Sequence, residues 1–201
     1  MGLQKIKILY DYDIQHMLYD DCEPVSMYKQ YLNVVEKWQM GWCAEFIRGG
    51  VIIDINSHLG NTSVFYAKHC NPNMVISITD DIDNHIATVS NSVENYCSCI
   101  VPVYASTIQG QDNYRTVDDI YLGIRCKLIK VSSSDPIQTL NGAIKTIEAS
   151  RPNIIVDIPK DEYTELNKQI KEFGYRAVKT NEYGTTLYTS SNTALYKQHS
   201  V

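Results

Sequence analysis

From Val51 onward the chain alternates short apolar runs with amphipathic stretches. Val51-Ile52-Ile53-Asp54-Ile55 is apolar on nearly every position, the pattern of a strand buried on both faces. Similar runs predict strands near 74–78, 100–104, 127–131 and 153–158, and the intervening stretches predict helices near 61–70, 83–96, 136–149 and 161–173. Asp135-Pro136 is a helix start, because the Asp carboxylate caps and Pro fits the first turn, and Gly174 ends the helix before it. Tyr175–Thr180 and Thr185–Thr189, flanking Glu182-Tyr183-Gly184, predict a hairpin. Repeated βα units followed by a hairpin imply a three-layer α/β domain whose sheet is mostly parallel, with one antiparallel C-terminal strand. Before Gly49-Gly50 the pattern changes. An acidic, Tyr-rich stretch (LYDYDIQHMLYDDCEP) precedes one in which Tyr28, Tyr31, Val34, Val35, Trp38 and Trp42 recur at three- and four-residue steps, the mark of an amphipathic helix. The expected organisation is one globular unit, with an N-terminal helical segment over 1–48 packed on an α/β domain over 49–201.

Composition narrows the partners. The 201 residues are 44% hydrophobic and 20% charged with only 10 Gly and 6 Pro, which excludes a disordered or low-complexity chain. A net charge of −5 supplies no general field for a phosphate backbone, so nucleic acid is not an expected partner. No apolar run approaches the ~20 residues of a membrane span, and the polar start does not read as a secretory signal, so the expected address is cytoplasmic. Cys22, Cys43, Cys70, Cys97, Cys99 and Cys126 form no C-x-x-C and read as free thiols.

In sheets of this kind ligands sit beyond the carboxyl ends of the strands. The first strand of the domain ends with Asp54-Ile55, and Asn56, Ser57, His58, Gly60, Asn61 and Thr62 follow, with donors at a helix start that favours anionic groups. His58 is either a general base or a histidine bonded to backbone at the start of a helix. Thr79, Asp80, Asp81 and Asp83 follow the second strand. Their D-x-D is either a pair of hard oxygen ligands for Mg²⁺ or Mn²⁺, or a helix cap beside solvated carboxylates. Ser132, Ser133 and Ser134 offer uncharged hydroxyls after the fourth strand, or form a plain loop. Asp157 closes the fifth strand, where it faces an acceptor or bonds a neighbouring loop.

Several segments taken together, VIIDINSHLGNTSVFYAKH, VISITDDIDNHIATVSNSVEN, VPVYAS, TVDDI, LIKVSSSDPIQTLNGAIKTIEASRPNIIVDI and KEFGYRAV, resemble the FkbM-type S-adenosylmethionine (SAM) methyltransferases in order, from about Gly49 to the end. The resemblance implies a Rossmann-like methyltransferase sheet with a reversed last strand. It also exposes departures. Where the family carries Asp-x-Gly-Ala-Asn-x-Gly, with glycine admitting the cofactor's amino-acid end, this chain keeps Asp54 and Gly60 but has Asn56 and His58. Where the family places a glutamate for the ribose hydroxyls, this chain has Thr79. Where the family reads Ile-Asp-Val-Glu-Gly, this chain reads Val131-Ser132-Ser133-Ser134-Asp135.

An intact framework around an altered site implies a repurposed site. The expectation is a glycosyltransferase on a methyltransferase-like fold, passing a sugar from a UDP- or GDP-linked nucleotide sugar to a glycan acceptor. Asp54, Asn56, Ser57, Gly60, Asn61, Thr62, Thr79, Asp80 and Ser132–Ser134 would bind the donor, and Asp81 and Asp83 a Mn²⁺ or Mg²⁺. With His58 and Asp157 these two also complete the catalytic candidates. A SAM-dependent O-methyltransferase acting on a sugar hydroxyl and a non-catalytic methyltransferase-like binding module are the alternatives. The Ile-, Asn- and Tyr-rich character is also similar to the multidomain glycan-building proteins of large algal viruses, which implies covalently linked neighbouring domains and a host-cytoplasm address.

Overall fold

A computed structural model describes residues 4–9, 15–20, 47–121, 125–157, 163–180 and 184–190. Strands β1 (Gln4–Leu9) and β2 (Gln15–Asp20) pair antiparallel as a separate two-stranded sheet. The main sheet holds β3 (Val51–Ile55), β4 (Met74–Thr79), β5 (Ile100–Tyr104), β6 (Cys126–Val131), β7 (Asn153–Asp157), β8 (Tyr175–Thr180) and β9 (Thr185–Ser190). Its order is β5-β4-β3-β6-β7-β9-β8, with β9 the antiparallel member between β7 and β8. Helices α1 (Asn61–His69), α2 (Ile82–Glu94), α3 (Val117–Ile120), α4 (Pro136–Asn141), α5 (Ile144–Ser150) and α6 (Tyr163–Glu172) supply the connections.

The apolar runs divide by parity between two cores. Val51, Ile53 and Ile55 pack with Ile129, Val156, Leu140, Ile147 and Leu166 on one side of the sheet. Ile52 packs with Val64, Phe65, Tyr66, Leu128 and Ile155 on the other. This is the three-layer, mostly parallel Rossmann-like sheet the sequence implied. All five expected strands form, and the terminal hairpin places β9 as the reversed strand.

Two local differences have physical causes, and a third lies in the N-terminal segment. The expected helix over 136–149 divides at Asn141-Gly142-Ala143, because Asp118 caps α5 from a distance: its carboxylate accepts from Lys145 N at 2.9 Å, Thr146 N at 2.9 Å and Thr146 Oγ1 at 2.8 Å. Thr116 and Asp119 form a reciprocal capping box that starts α3, a helix too short to show periodicity. Within the expected N-terminal helical segment, β1 and β2 are strands; the amphipathic helix read from Tyr28 to Trp42 lies outside the described residues. Among the described residues no helix is long and apolar enough to cross a membrane. Cys70, Cys97, Cys99 and Cys126 are free thiols, and burial pushes Cys70 and Cys126 up to about 12.

Candidate functional site

A row of polar side chains crosses four neighbouring strands near their carboxyl ends. Asp54 on β3 is in register with Ser77 on β4 and Lys130 on β6, and Asp157 ends β7 on the same face. Inside so apolar a sheet these groups must satisfy one another. Lys130 Nζ lies 3.6 Å from Asp54 Oδ1 and 3.4 Å from Asp157 Oδ2, and donates to Ser132 Oγ at 2.6 Å. Ser132 Oγ in turn donates to Asp157 Oδ2 at 2.8 Å. Asp54 is fully buried, and burial raises its pKa against the opposing pull of Lys130 and Ser63. Asp157 Oδ1 is buried and has no hydrogen-bond partner.

On its other side Asp54 opens a file of hydroxyls. Ser63 Oγ, on the first turn of α1, lies 2.6 Å from Asp54 Oδ2 and 2.8 Å from Ser77 Oγ. Ser77 Oγ donates to Ser57 Oγ at 2.7 Å, and Ser57 Oγ donates to the Ile78 carbonyl at 3.3 Å.

The loop from Asn56 to Gly60 is held from below by α2. Thr88 Oγ1 donates to the His58 carbonyl at 3.0 Å and Asn91 Nδ2 to the Leu59 carbonyl at 2.8 Å. Gly60 has φ +78°, and a Cβ there would stand 2.8 Å from Thr88 Cγ2, so both conformation and contact require glycine. Asn56 and His58 adopt φ of 54° and 49°. Asn56 Nδ2 donates to the Ser132 carbonyl at 2.9 Å, tying the end of β3 to the end of β6. His58 is exposed; desolvation lowers its pKa, Lys130 adds to this, and Asp54, Asp80 and Asp81 oppose it.

Beside this loop is a cleft lined by Ile55, Asn56, Ile78, Thr79, Asp80, Ala105, Thr107, Ile108, Ser133 and Ser134. Its free volume is about 30 Å³, room for one or two waters. It gathers the predicted Asn56, Thr79, Asp80, Ser133 and Ser134. Asp54 and Ser57 are buried beneath it, and Ser132 joins Asp157 and Lys130. Asn61 opens α1 with a buried Oδ1 that lacks a partner, followed by Thr62. Asp81 Oδ1 accepts from Asn84 N at 2.8 Å as the N-cap of α2, and Asp83 is exposed in the first turn, the arrangement of a cap beside a solvated carboxylate. Among the described residues no group of three His, Cys, Asp or Glu could hold a metal ion. Lys130 is the residue the sequence reading missed. Its signal was present: a cation inside Leu128-Ile129-Lys130-Val131, opposite the lone carboxylate of Val51–Ile55.

No protein-family model matches the chain, and no curated protein matches it. Solved structures do. A precorrin-6y C5,15-methyltransferase from Geobacter metallireducens GS-15 aligns with 84% of this chain and 92% of its own at TM-score 0.56 and 13% identity. The methyltransferase FkbM from Methylobacillus flagellatus KT aligns over 70% of this chain and 43% of its own at TM-score 0.58 and 18% identity. M. jannaschii TYW2, solved in complex with AdoMet, aligns over 94% and 84% at TM-score 0.51 and 14% identity. The fold is that of the SAM-dependent methyltransferases. At these identities the likeness carries the fold alone.

These neighbours correct the expectation of a glycosyltransferase using a UDP- or GDP-linked donor. Two of the three are described as methyltransferases, and the third was solved with AdoMet. The Mn²⁺ or Mg²⁺ expected at Asp81 and Asp83 loses its role with that donor, and the D-x-D that suggested it is explained by the capping of α2.

Proposed function

We propose that this chain is a SAM-dependent O-methyltransferase whose cofactor lies in the cleft at the ends of β3, β4 and β6. The observation that supports this reading most directly is the placement of the cleft: Thr79 at the end of β4 with Asp80 just beyond it, and Ala105, Thr107 and Ile108 beyond β5, gather at one point of a methyltransferase sheet. That set fits the nucleoside half of SAM. Ile78, Ala105 and Ile108 offer apolar walls to a base, and Thr79, Asp80 and Thr107 offer hydroxyl and carboxylate groups to a ribose. The amino-acid half would lie toward Asn56 and Asn61, whose Oδ1 is an unfilled buried acceptor.

When bound, SAM supplies an electrophilic methyl group on a sulfonium. The chain's own part is to orient the acceptor and take its proton. Asp157, half-buried at the end of β7 with Oδ2 held by Ser132 Oγ and Lys130 Nζ, is the carboxylate the chain offers to accept a hydroxyl proton. A sugar hydroxyl as acceptor follows the resemblance to the FkbM-type enzymes. Calorimetric titration with SAM and S-adenosylhomocysteine tests the reading: micromolar binding is expected, with Asp80→Ala weakening it about tenfold, or ~1.4 kcal/mol. Absence of binding to the folded chain would return the choice to a non-catalytic module.

A further inference from the structure

The strand order reverses its direction of growth between β3 and β6, and sheets of this kind take their ligands in the crevice at that switch point. Here the crevice is stitched. Ser132 N donates to the Ile55 carbonyl at 3.1 Å, and Asn56 Nδ2 donates to the Ser132 carbonyl at 2.9 Å. The first of these bonds continues the sheet. The second is a side-chain bond laid across its end, and Asn56 also lines the cleft. Ligand pockets for molecules of this size run to roughly 300–1,000 Å³. The cleft as it stands has about 30 Å³.

Nothing rigid closes it on that side. Asn56 is half-buried, so its side chain has solvent to turn into, and among the described residues its side chain bonds to one carbonyl, that of Ser132. One such bond contributes about 0.5–1.5 kcal/mol net, an amount a ligand can offset. The backbone is set by other means: φ is 54° at Asn56, a left-handed conformation asparagine tolerates, and Ser57 N is anchored to the Ile78 carbonyl at 3.0 Å. Turning the Asn56 amide away therefore removes the side-chain bond laid across the crevice while the loop stays in place.

We infer that Asn56 is the latch of the cofactor cleft and sets the chain's affinity for SAM: the cleft is closed while the amide holds Ser132 and competent when it swings out. This rests on the methyltransferase reading. A competent state populated only in part reduces apparent affinity by that fraction, and removing the latch restores it.

Two measurements on the full chain test it. S-Adenosylhomocysteine is titrated calorimetrically into wild type and Asn56→Gly, a variant that keeps the positive φ without strain, with thermal melts to confirm the fold. Stopped-flow association is then followed against ligand concentration. The latch requires Asn56→Gly to bind roughly three- to fourteenfold more tightly, the range set by the strength of one such bond. It also requires a wild-type rate that levels off at high ligand, as latch opening becomes limiting. Equal affinities, or a wild-type rate that rises linearly throughout, overturn the latch and leave the methyltransferase reading standing. If neither protein binds, that reading itself fails and the latch falls with it.

Discussion

Lys130 holds two carboxylates that would otherwise face each other in the sheet. With side-chain exposures of 7% for Lys130 and 0% for Asp54, the pair is too buried for solvent to screen it. Breaking such a pair leaves an uncompensated buried charge, so Lys130→Met is expected to cost about 3–5 kcal/mol in urea unfolding. Asp54 is also fully buried, and burial raises its pKa against the pull of Lys130 and of the Ser63 hydroxyl that donates to Oδ2. A folded pKa raised above the unfolded value means that the native state holds the carboxyl proton more tightly. The resulting stability is full below about pH 3.8 and fades as pH climbs through the folded value. In Asp54→Asn the amide can donate into the same file without titrating. The stability difference between wild type and this variant should therefore shift against wild type as pH rises, measured by urea denaturation at several pH values. A difference independent of pH would rule out the raised folded-state pKa of Asp54.

At the scale of elements, α2 reverses the usual arrangement of a surface helix. Ala87, Thr88, Asn91 and Ser92 are buried, while Ile82, Ile86, Val89 and Val93 are exposed at 41–69%. The inner face is polar because the Asn56–Gly60 loop presents carbonyls to it that Thr88 and Asn91 satisfy. A substitution table based on hydrophobicity would therefore give the wrong sign here. Asn91→Leu puts an apolar residue at a buried position but leaves the Leu59 carbonyl unpaired, and should cost about 1–3 kcal/mol. Val93→Lys removes an exposed apolar residue and should stay within about 0.5 kcal/mol of wild type. Thermal and urea unfolding of the two variants checks both signs. Other elements show where the sequence was legible. Apolar runs such as Val51–Ile55 announce strands because a parallel sheet buries both faces, and Asp135-Pro136 announces α4 because cap and helix are adjacent. The break before α5 was not legible, because its cap, Asp118, stands 27 residues earlier than Lys145. The site divided in the same way. Residues after strand ends could be named from topology, whereas the Lys130 cluster and the Asn56–Ser132 bond depend on register between strands distant in sequence.

For the molecule as a whole, β9 is the piece on which both cores and the site-bearing strand depend. It is antiparallel to β7 on one side and β8 on the other, and all six of its residues are buried. Consecutive residues serve opposite faces: Leu187 packs into the core that holds Ile52 and Phe65, and Tyr188 into the one that holds Ile154 and Leu166. Thr185 is the register partner of Asp157, so β9 also supports the strand end that carries the proposed proton acceptor. Burial of side chains such as these stabilises a fold by about 1.5–3 kcal/mol each, against a total of ~5–15 kcal/mol for a typical domain. Removing β9 would also leave both β7 and β8 with unpaired backbone edges. A chain ending at Gly184 should therefore lose cooperative unfolding rather than retain a weakened domain, as followed by circular dichroism in urea. It should lose any SAM-dependent rise in melting temperature at the same time. A truncated chain that still unfolds in one sharp transition would show that β3, β4, β6 and β7 form a self-sufficient core, with β9 a later addition at its edge.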